Sequence, residues 1–308
     1  MTSRSNGKMH VGELDIDVPL VRRLLAVQFP QWAGLPIEPV RSSGTDNAIY
    51  RLGAEMLVRL PRIDWAVGQV QKEQEWLPKL APLLRIAIPA PLALGMPCEW
   101  YPWNWSVYGW LDGEVATMEN LADPKQFAIE LAEFIESLRQ IDTAGGPVSG
   151  SHNSSRGVPL ATRDATVRAS LASLHGIIDT ELALKAWEVA LRTSVWHGAP
   201  VWIHGDLQAG NLLTGKGRLS AVIDFGCLGV GDPACDLIVA WNLLSAETRE
   251  VFRTTLAMDD LTWARGKGWA LSIGLIALPY YLHTNTVMVR NAHYTIAEIL
   301  ADYKRGLG

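Results

Sequence analysis

Short stretches of alternating apolar and polar residues occupy the first part of the chain. The alternation between residues 37 and 60, around Val40, Ile49 and Val58, is typical of β-strands. Turn-forming residues interrupt this alternation from Ser42 to Asn47. We therefore predict a β-hairpin whose tip is small and polar and contains a glycine.

A helix and a further strand are predicted to follow the hairpin. From Val67 to Leu84 the apolar residues have helical spacing, and Pro78 marks a kink or an end. Residues 106–111 read as a strand and lead into a turn signal. We place a lobe boundary there, so that residues 1–110 form a small β-rich lobe and residues 111–308 a larger one.

The larger lobe is mainly helical in its pattern. Apolar residues between Asp123 and Arg139 lie on one face of a helix, and helical spacing recurs from Thr166 to Trp196 and through most of residues 236–304. The sequence therefore predicts an α+β protein. Its first lobe combines a small antiparallel sheet with one helix, and its second lobe combines helices with a β-hairpin.

Composition favours a well-packed enzyme over a nucleic-acid-binding or disordered protein. Hydrophobic residues make up 48% of the chain and charged residues 19%, which is enough apolar material for a large core. The formal net charge is −5, and no cluster of basic residues stands out. We expect no nucleic-acid partner, while a cationic small molecule is compatible with this mild acidity.

Cysteine usage and hydropathy indicate a protein of the cytoplasm. Cys98, Cys227 and Cys235 lack the spacing of a metal site or a disulfide framework, so we interpret them as packing residues in a reducing compartment. The first residues lack the apolar core of a signal peptide. The most apolar stretch, from Trp269 to Leu282, contains Pro279, and we predict a buried helix there and no membrane contact.

Residues 201–237 carry the candidate chemistry. Two short β runs lie in this segment, with Asp206 and Asn211 before the first run and Asp224 after the second. Phosphoryl transfer needs a carboxylate that orients the attacking hydroxyl and oxygen ligands that hold Mg²⁺ on a nucleoside triphosphate. We interpret Asp206 as the catalytic base, and Asn211 and Asp224 as the metal ligands.

The same segment resembles the aminoglycoside phosphotransferase family, within the choline-kinase and protein-kinase-like superfamily. The resemblance implies a bilobal protein-kinase-like fold, a Mg²⁺ cofactor, ATP or GTP as co-substrate, and the same roles for the base and the metal ligands. It rests on His204-Gly205-Asp206-Leu207, on Asn211, on Ile223-Asp224-Phe225-Gly226, and on Gly231-Asp232-Pro233 with Asp236-Leu237.

Three further residues of the segment have structural or chemical interpretations. His204 either supports the loop through a hydrogen bond or titrates during catalysis, and we favour support because Asp206 already fills the role of base. Asp232 and Asp236 are interpreted as residues that fix the loop and cap the following helix.

The resemblance also implies that the first lobe binds the nucleotide. Arg59 stands where protein kinases usually have the lysine that holds the α- and β-phosphates, and Glu73 lies where its ion-pairing partner is expected. Arg62 is the alternative to Arg59, and Glu75 is the alternative to Glu73.

Two other parts of the first lobe are expected to contact the nucleotide. The backbone of Ser43, Gly44 and Thr45 in the hairpin tip would cover the phosphates. Main-chain groups of Val107 and Tyr108, in the linker between the lobes, would meet the purine. ATP and GTP are not distinguished by these residues.

The acceptor implied by the resemblance is a hydroxylated small molecule, first of all an aminoglycoside, which connects the chain with antibiotic resistance. Kinases of a small amino alcohol or sugar (choline- or homoserine-type), macrolide kinases and a nucleotide-binding pseudokinase are alternatives. We expect a monomer or a homodimer. The candidate acceptor-binding acids are Asp259, Asp260, Glu298 and Asp302.

Overall fold

The computed structural model describes residues 12–40, 44 and 46–306, which form a two-lobed α+β fold. The strands are β1 (Ile37–Pro39), β2 (Asn47–Leu52), β3 (Met56–Pro61), β4 (Pro91–Gly95), β5 (Trp105–Gly109), β6 (Glu114–Val115), β7 (Val201–Ile203), β8 (Leu212–Gly215), β9 (Arg218–Val222) and β10 (Gly229–Gly231). The helices are α1 (Val18–Gln28), α2 (Val67–Leu80), α3 (Pro124–Arg139), α4 (Asp164–Ser173), α5 (Thr180–Arg192), α6 (Val239–Asn242), α7 (Ala246–Thr255), α8 (Asp260–Tyr281) and α9 (Thr286–Arg305).

The first lobe is built on an antiparallel sheet of order β1-β2-β3-β5-β4. Alternate side chains of β2 are buried, as the alternation in the sequence predicts. They pack with α1, a helix that the sequence reading missed, and with Trp105 of β5. Asp17 begins α1 because its carboxylate accepts a hydrogen bond of 2.8 Å from the backbone N–H of Leu20.

Helix α2 connects the sheet with the second lobe. It contacts β4 and β5 as well as the turn that follows β9. Pro78 lies inside its last turn, so the helix ends two residues later, at Leu80, and a short 3₁₀ turn follows. The position of this proline therefore agrees with the helix end predicted from the sequence.

The second lobe packs its helices around α8. The prediction of a helix near 123–139 is confirmed, with Asp123 as the N-cap of α3. The helical spacing predicted from Thr166 to Trp196 corresponds to two helices, α4 and α5, separated by a turn. Gly176 has a φ of +79° in the turn between them, and Asp179 caps α5 by accepting a hydrogen bond of 3.0 Å from Leu182.

A β-hairpin of strands β8 and β9 carries the candidate chemistry and lies where the lobes meet. Strand β6, which follows the crossing from the first lobe, pairs with β8. The N–H of Val222 in β9 donates a hydrogen bond of 3.0 Å to the carbonyl of Ala87, which precedes β4. The hairpin is therefore hydrogen-bonded to chain segments on both sides of the crossing.

The cysteines and the apolar helix agree with the sequence reading. Cys98, Cys227 and Cys235 are free thiols, and the latter two are buried. Burial raises the pKa of Cys227 to about 12, so this thiol stays protonated at neutral pH. None of the helices in the described ranges is both long and apolar enough to span a membrane, and α8 packs on its neighbouring helices.

Candidate active site

A buried carboxylate holds the loop between β7 and β8, here called the catalytic loop (residues 204–211). Oδ2 of Asp236 accepts a hydrogen bond of 2.8 Å from the N–H of His204, and Oδ1 accepts one of 2.7 Å from that of Gly205. Burial raises the pKa of Asp236, while nearby His204 and these N–H bonds oppose the rise. This carboxylate therefore fixes the start of the loop, as its sequence interpretation predicts.

Only glycine fits the second position of the loop without strain. Gly205 has a φ of +82°, and a Cβ atom added there would lie 2.4 Å from the carbonyl oxygen of Cys227. The loop can therefore run close under the turn after β9, where Cys227 lies.

His204 supports the loop through both ring nitrogens. Its Nδ1 accepts a hydrogen bond of 3.2 Å from the N–H of Asp206, and its Nε2 lies 3.0 Å from the carbonyl oxygen of Ile223. Since Nδ1 accepts, the proton is assigned to Nε2, which donates to the carbonyl. The ring also meets Phe225 edge-on, with centroids 4.6 Å apart. These contacts favour the supporting role over titration.

Asp206 and Asn211 are joined directly. Nδ2 of Asn211 donates hydrogen bonds of 2.8 Å to the carbonyl oxygen of Asp206 and 3.1 Å to its Oδ2. Oδ2 also accepts a hydrogen bond of 2.9 Å from Gln208. The side chain of Asp206 remains 24% exposed, and among the described residues its Oδ1 has one long contact, 3.5 Å from Nη2 of Arg156. Oδ1 is therefore the oxygen that can take a further hydrogen bond.

A backbone hydrogen bond places Asp224 next to Asn211. The N–H of Ile223 donates a hydrogen bond of 2.9 Å to the carbonyl oxygen of Asn211. Asp224 then adopts a φ of +61°, an uncommon conformation for a residue with a side chain, and such strain is concentrated at functional sites. Its side chain is 43% exposed. The hairpin thus brings the two residues predicted as metal ligands to one end.

The donor set of these two residues fits a magnesium ion that is shared with phosphates. Because Nδ2 of Asn211 faces Asp206, its amide oxygen points elsewhere, and Asp224 adds a partly exposed carboxylate. Across the described ranges, no group of three or more His, Cys, Asp or Glu side chains could hold a metal by itself. Magnesium commonly takes one or two protein carboxylates and completes its shell with phosphate oxygens and water.

Arg59 is the centre of an ionic cluster, here called the Arg59 cluster (Arg59, Gln69, Glu73, Tyr108 and Asp224). Nη1 of Arg59 lies 2.6 Å from both oxygens of Glu73, and Nη2 lies 2.7 Å from Oδ1 of Asp224. The hydroxyl of Tyr108 donates to Glu73, whose side chain is 1% exposed. Burial opposes the charge of Arg59, but the two carboxylates raise its pKa above the ordinary value.

The alternatives to Arg59 and Glu73 lie elsewhere. Arg62 pairs with Glu13 at 3.0 Å, and Glu75 pairs with Lys79 at 3.0 Å on the exposed face of α2. The structure therefore pairs the two residues favoured by the sequence. Whether Arg59 binds phosphate remains a prediction.

The other predicted nucleotide contacts fall in different places. Ser43 and Thr45 lie outside the described residues, whereas Gly44 lies just before β2. Val107 and Tyr108 are buried in β5. This strand pairs with β3 on one side and with β4 on the other. Their contact with a purine stays a prediction.

Helix α2 contributes a lysine that sequence reasoning missed. Nζ of Lys72 donates hydrogen bonds of 2.8 Å to the carbonyl oxygen of Gly226 and 3.2 Å to that of His152. Burial lowers the pKa of Lys72 to about 8. Its position directly before Glu73 was the only available signal, and no motif distinguished it.

An arginine from the loop before α4 also reaches Asp206. The carbonyl oxygen of Arg156 accepts a hydrogen bond of 3.1 Å from Asn153, which fixes this loop. Nε and Nη1 of Arg156 are buried, and the guanidinium lies near the thiol of Cys227. Arg156 lies fifty positions from Asp206 in sequence, so only the fold places it there.

The four acids proposed for acceptor binding are engaged in other contacts. Asp302 and Glu298 bind Arg249, at 3.1 and 2.5 Å. Asp259 caps α8 by accepting a hydrogen bond of 2.8 Å from Thr262, and Asp260 pairs with Arg253. Asp302 also accepts a hydrogen bond of 2.8 Å from the indole of Trp241. These carboxylates support the helical lobe.

Comparisons with known proteins agree with this geometry. The model of the phosphotransferase enzyme family (APH) matches residues 37–269. The solved structure of the GDP and kanamycin complex of APH(2″)-IIIa is similar with a TM-score of 0.74 and 19% identity, over 92% of this chain and 98% of that chain. A search of curated proteins found no match.

Two macrolide phosphotransferases are similar as well. Macrolide 2′-phosphotransferase type I has a TM-score of 0.62 and 18% identity, over 90% of this chain and 96% of that chain. The macrolide 2′-phosphotransferase apoenzyme from Brachybacterium faecium has a TM-score of 0.60 and 21% identity, over 92% of this chain and 97% of that chain. Identities this low establish a shared fold, which is the kinase-like fold expected from the sequence.

Proposed function

This chain belongs to the phosphotransferase enzyme family, and on that premise we propose that it is a small-molecule kinase. It transfers the γ-phosphoryl group of Mg-bound ATP or GTP to a hydroxyl. The observation that carries the proposal is the junction at Asn211, whose amide contacts Asp206 and whose backbone contacts Ile223, beside Asp224. One hairpin thereby joins a candidate base to two candidate metal ligands.

Asp206 orients and deprotonates the acceptor hydroxyl. Gln208 and Asn211 hold its Oδ2, so the less hydrogen-bonded Oδ1 receives the proton. Asn211 and Asp224 would hold magnesium, which neutralises charge on the phosphates and aligns them for transfer. The presence of the base and of both ligands favours an active kinase over a pseudokinase.

Arg59 holds the nucleotide phosphates from the first lobe. Glu73 and Tyr108 fix its guanidinium, which leaves its position well defined for phosphate oxygens. Ser43, Gly44 and Thr45 cover the phosphates, and main-chain groups of Val107 and Tyr108, or of the residues directly after them, meet the purine. We place the boundary between the nucleotide lobe and the acceptor lobe near residue 110.

The acceptor is a hydroxylated small molecule of the cytoplasm. Kanamycin is bound by one structural neighbour and other neighbours are macrolide phosphotransferases, and both classes carry several hydroxyl groups. Support for either class comes from likeness of fold, which transfers to this chain only as a proposal. Aminoglycosides, macrolides, sugars and amino alcohols are therefore all acceptors to be tested.

A transfer assay tests the proposal. The purified protein is incubated with MgATP or MgGTP and a panel of these acceptors, and products are examined by mass spectrometry for an added phosphoryl group. The Asp206→Asn variant serves as the matched control because it keeps the size of the side chain. We expect a phosphorylated product with the wild type and none with the variant. Equal product from both proteins would refute the assignment of the base.

A further inference from the structure

A cavity of ≈ 40 Å³ adjoins the catalytic loop. Gln208 of that loop forms one wall, Asn242 at the end of α6 forms another, and α8 and α9 form the rest. Gln208 also donates a hydrogen bond of 2.9 Å to Asp206, so one wall residue of the cavity contacts the candidate base.

The wall of the cavity is neutral and mostly apolar. No ionisable side chain is among the described residues that line it, and its polar contributions come from amides and a hydroxyl. The apolar contributions come from Ile238, Ala270, Ile273, Ala277, Met288 and Ala292. The four carboxylates that were considered for acceptor binding are instead engaged with Arg249, Arg253 and Thr262.

Asn242 adds no charge to the wall. Its Nδ2 donates a hydrogen bond of 2.9 Å to the carbonyl oxygen of Leu207, and its Oδ1 is buried and has no partner in the described part of the chain. The catalytic loop therefore holds this amide in place.

We propose that the acceptor places a neutral, largely apolar group in this cavity, beside the hydroxyl that is phosphorylated. The inference rests on the proposed kinase function and narrows its acceptor class. It disfavours acceptors that carry an ammonium group next to the reacting hydroxyl, as a polyamine sugar does. The volume admits only a few non-hydrogen atoms, so the rest of the acceptor lies outside the cavity.

The physical reason is the cost of removing a charge from water. An ammonium group in this cavity would lose hydration and find no carboxylate among the lining residues, whereas a methyl or methylene group gains from burial. A difference of tenfold in affinity corresponds to about 1.4 kcal/mol, and an unpaired buried charge costs several times more. We therefore expect at least about a tenfold preference for the neutral group.

A pair of matched probes tests the inference. Trans-2-methylcyclohexanol and trans-2-aminocyclohexanol have similar shapes and the same hydroxyl, but only the second carries an ammonium group. Binding of each probe to the MgADP-bound full chain is measured by NMR titration, and phosphorylation by MgATP is measured beside it. We expect the methyl compound to bind at least about ten times more tightly. Equal or tighter binding of the amine, or no binding of the methyl compound, would overturn the inference.

A charge introduced into the wall should reverse the preference. Asn291 lines the cavity, and Asn291→Asp changes its charge with little change of shape. We expect the variant to gain affinity for the amine by about tenfold and to lose affinity for the methyl compound. Gln31→Glu, the same chemical change at an exposed site of the first lobe, should alter neither affinity. If both variants behave alike, the cavity does not bind the probes.

Failure of the kinase function is recognised separately. MgATP hydrolysis without any acceptor should occur slowly and depend on Asp206, because water can replace the acceptor hydroxyl. If the wild type neither hydrolyses MgATP nor phosphorylates any acceptor of the panel, the kinase proposal and the inference are refuted together. Hydrolysis that is intact and lost in Asp206→Asn, combined with preference for the amine, refutes only the neutral acceptor.

Discussion

The catalytic loop and the Arg59 cluster are both polar networks, but they are held in different ways. In the loop, Asp236 binds backbone N–H groups of its own lobe, at 2.8 and 2.7 Å. In the cluster, Arg59 binds Glu73 of α2 at 2.6 Å and Asp224 of the other lobe at 2.7 Å. The first network stays within one lobe, whereas the second crosses between the two.

This difference separates a fixed part of the site from a responsive part. Carboxylate-to-backbone bonds keep the loop in one conformation, so the base is positioned before any ligand binds. Asp224, in contrast, is bound by Arg59 in this structure and is also the candidate metal ligand. Magnesium and phosphate can compete for this ion pair, so nucleotide binding can change how the lobes meet.

The largest effect on stability is expected from breaking the cluster. Arg59→Met leaves the carboxylate of Glu73 buried and without its cation, which should lower the free energy of unfolding by about 3–5 kcal/mol. Urea unfolding measures this change. Lys125→Met removes an exposed ion pair with Glu247 and is the control, for which we expect little change. A loss in the Arg59 variant no larger than in the control would contradict the importance of the cluster.

Breaking the loop should have a somewhat smaller effect. Asp236→Ala leaves the buried N–H groups of His204 and Gly205 without acceptors, and the loss of a buried carboxylate offsets part of that cost. We expect the free energy of unfolding to fall by about 2–4 kcal/mol, with a loss of turnover because the base is no longer fixed. Asp236→Asn keeps one oxygen acceptor and should lose less on both measures. An Asn variant as damaged as the Ala variant would argue against the hydrogen-bond account.

The lysine that bridges the lobes should give stability a dependence on pH. Burial lowers the pKa of Lys72 to about 8 from 10.5. Between these values the unfolded chain binds more protons than the folded chain, so the free energy of unfolding rises with pH. From pH 8 to 10.5 the wild type should gain on the order of 2 kcal/mol over Lys72→Met. Urea unfolding at several pH values checks this, and parallel curves for the two proteins would contradict it.

Arg156 should affect turnover more than binding or stability. Arg156→Met removes the cation beside Oδ1 of Asp206, and the freed carboxylate can leave its productive position. We expect kcat to fall about tenfold, with little change in KM for the nucleotide. Arg156→Lys should restore part of the loss. A change confined to KM, or equal behaviour of the Met and Lys variants, would exclude this positioning role.

The sequence motifs around the catalytic loop made the fold of this loop and of the β8–β9 hairpin predictable. The spacing of Asp206, Asn211 and Asp224 reflects local geometry, since a short loop and one hairpin bring them together. The pairing of Arg59 with Glu73 was also predictable, because a strand and the following helix form one unit. The sequence reading missed α1 and did not locate the turn between α4 and α5.

Residues brought in by distant segments could not be read from the sequence. Arg156 and Lys72 reach the site through loop and helix packing, and neither belongs to a local motif. The acids predicted to bind the acceptor also show that the sequence does not reveal tertiary contacts. Asp302 and Glu298 look available in sequence, but α9 places them against Arg249 of α7.

Magnesium-dependent nucleotide binding by two variants tests the central claim most directly. The affinity for ADP is measured by titration calorimetry, in the presence and in the absence of magnesium, for the wild type, Asp206→Asn and Asp224→Asn. If Asp206 is the base and Asp224 a metal ligand, Asp206→Asn keeps the wild-type gain in affinity from magnesium, and Asp224→Asn loses it. A gain preserved in Asp224→Asn, or lost equally in both variants, would contradict the division of roles between these two carboxylates.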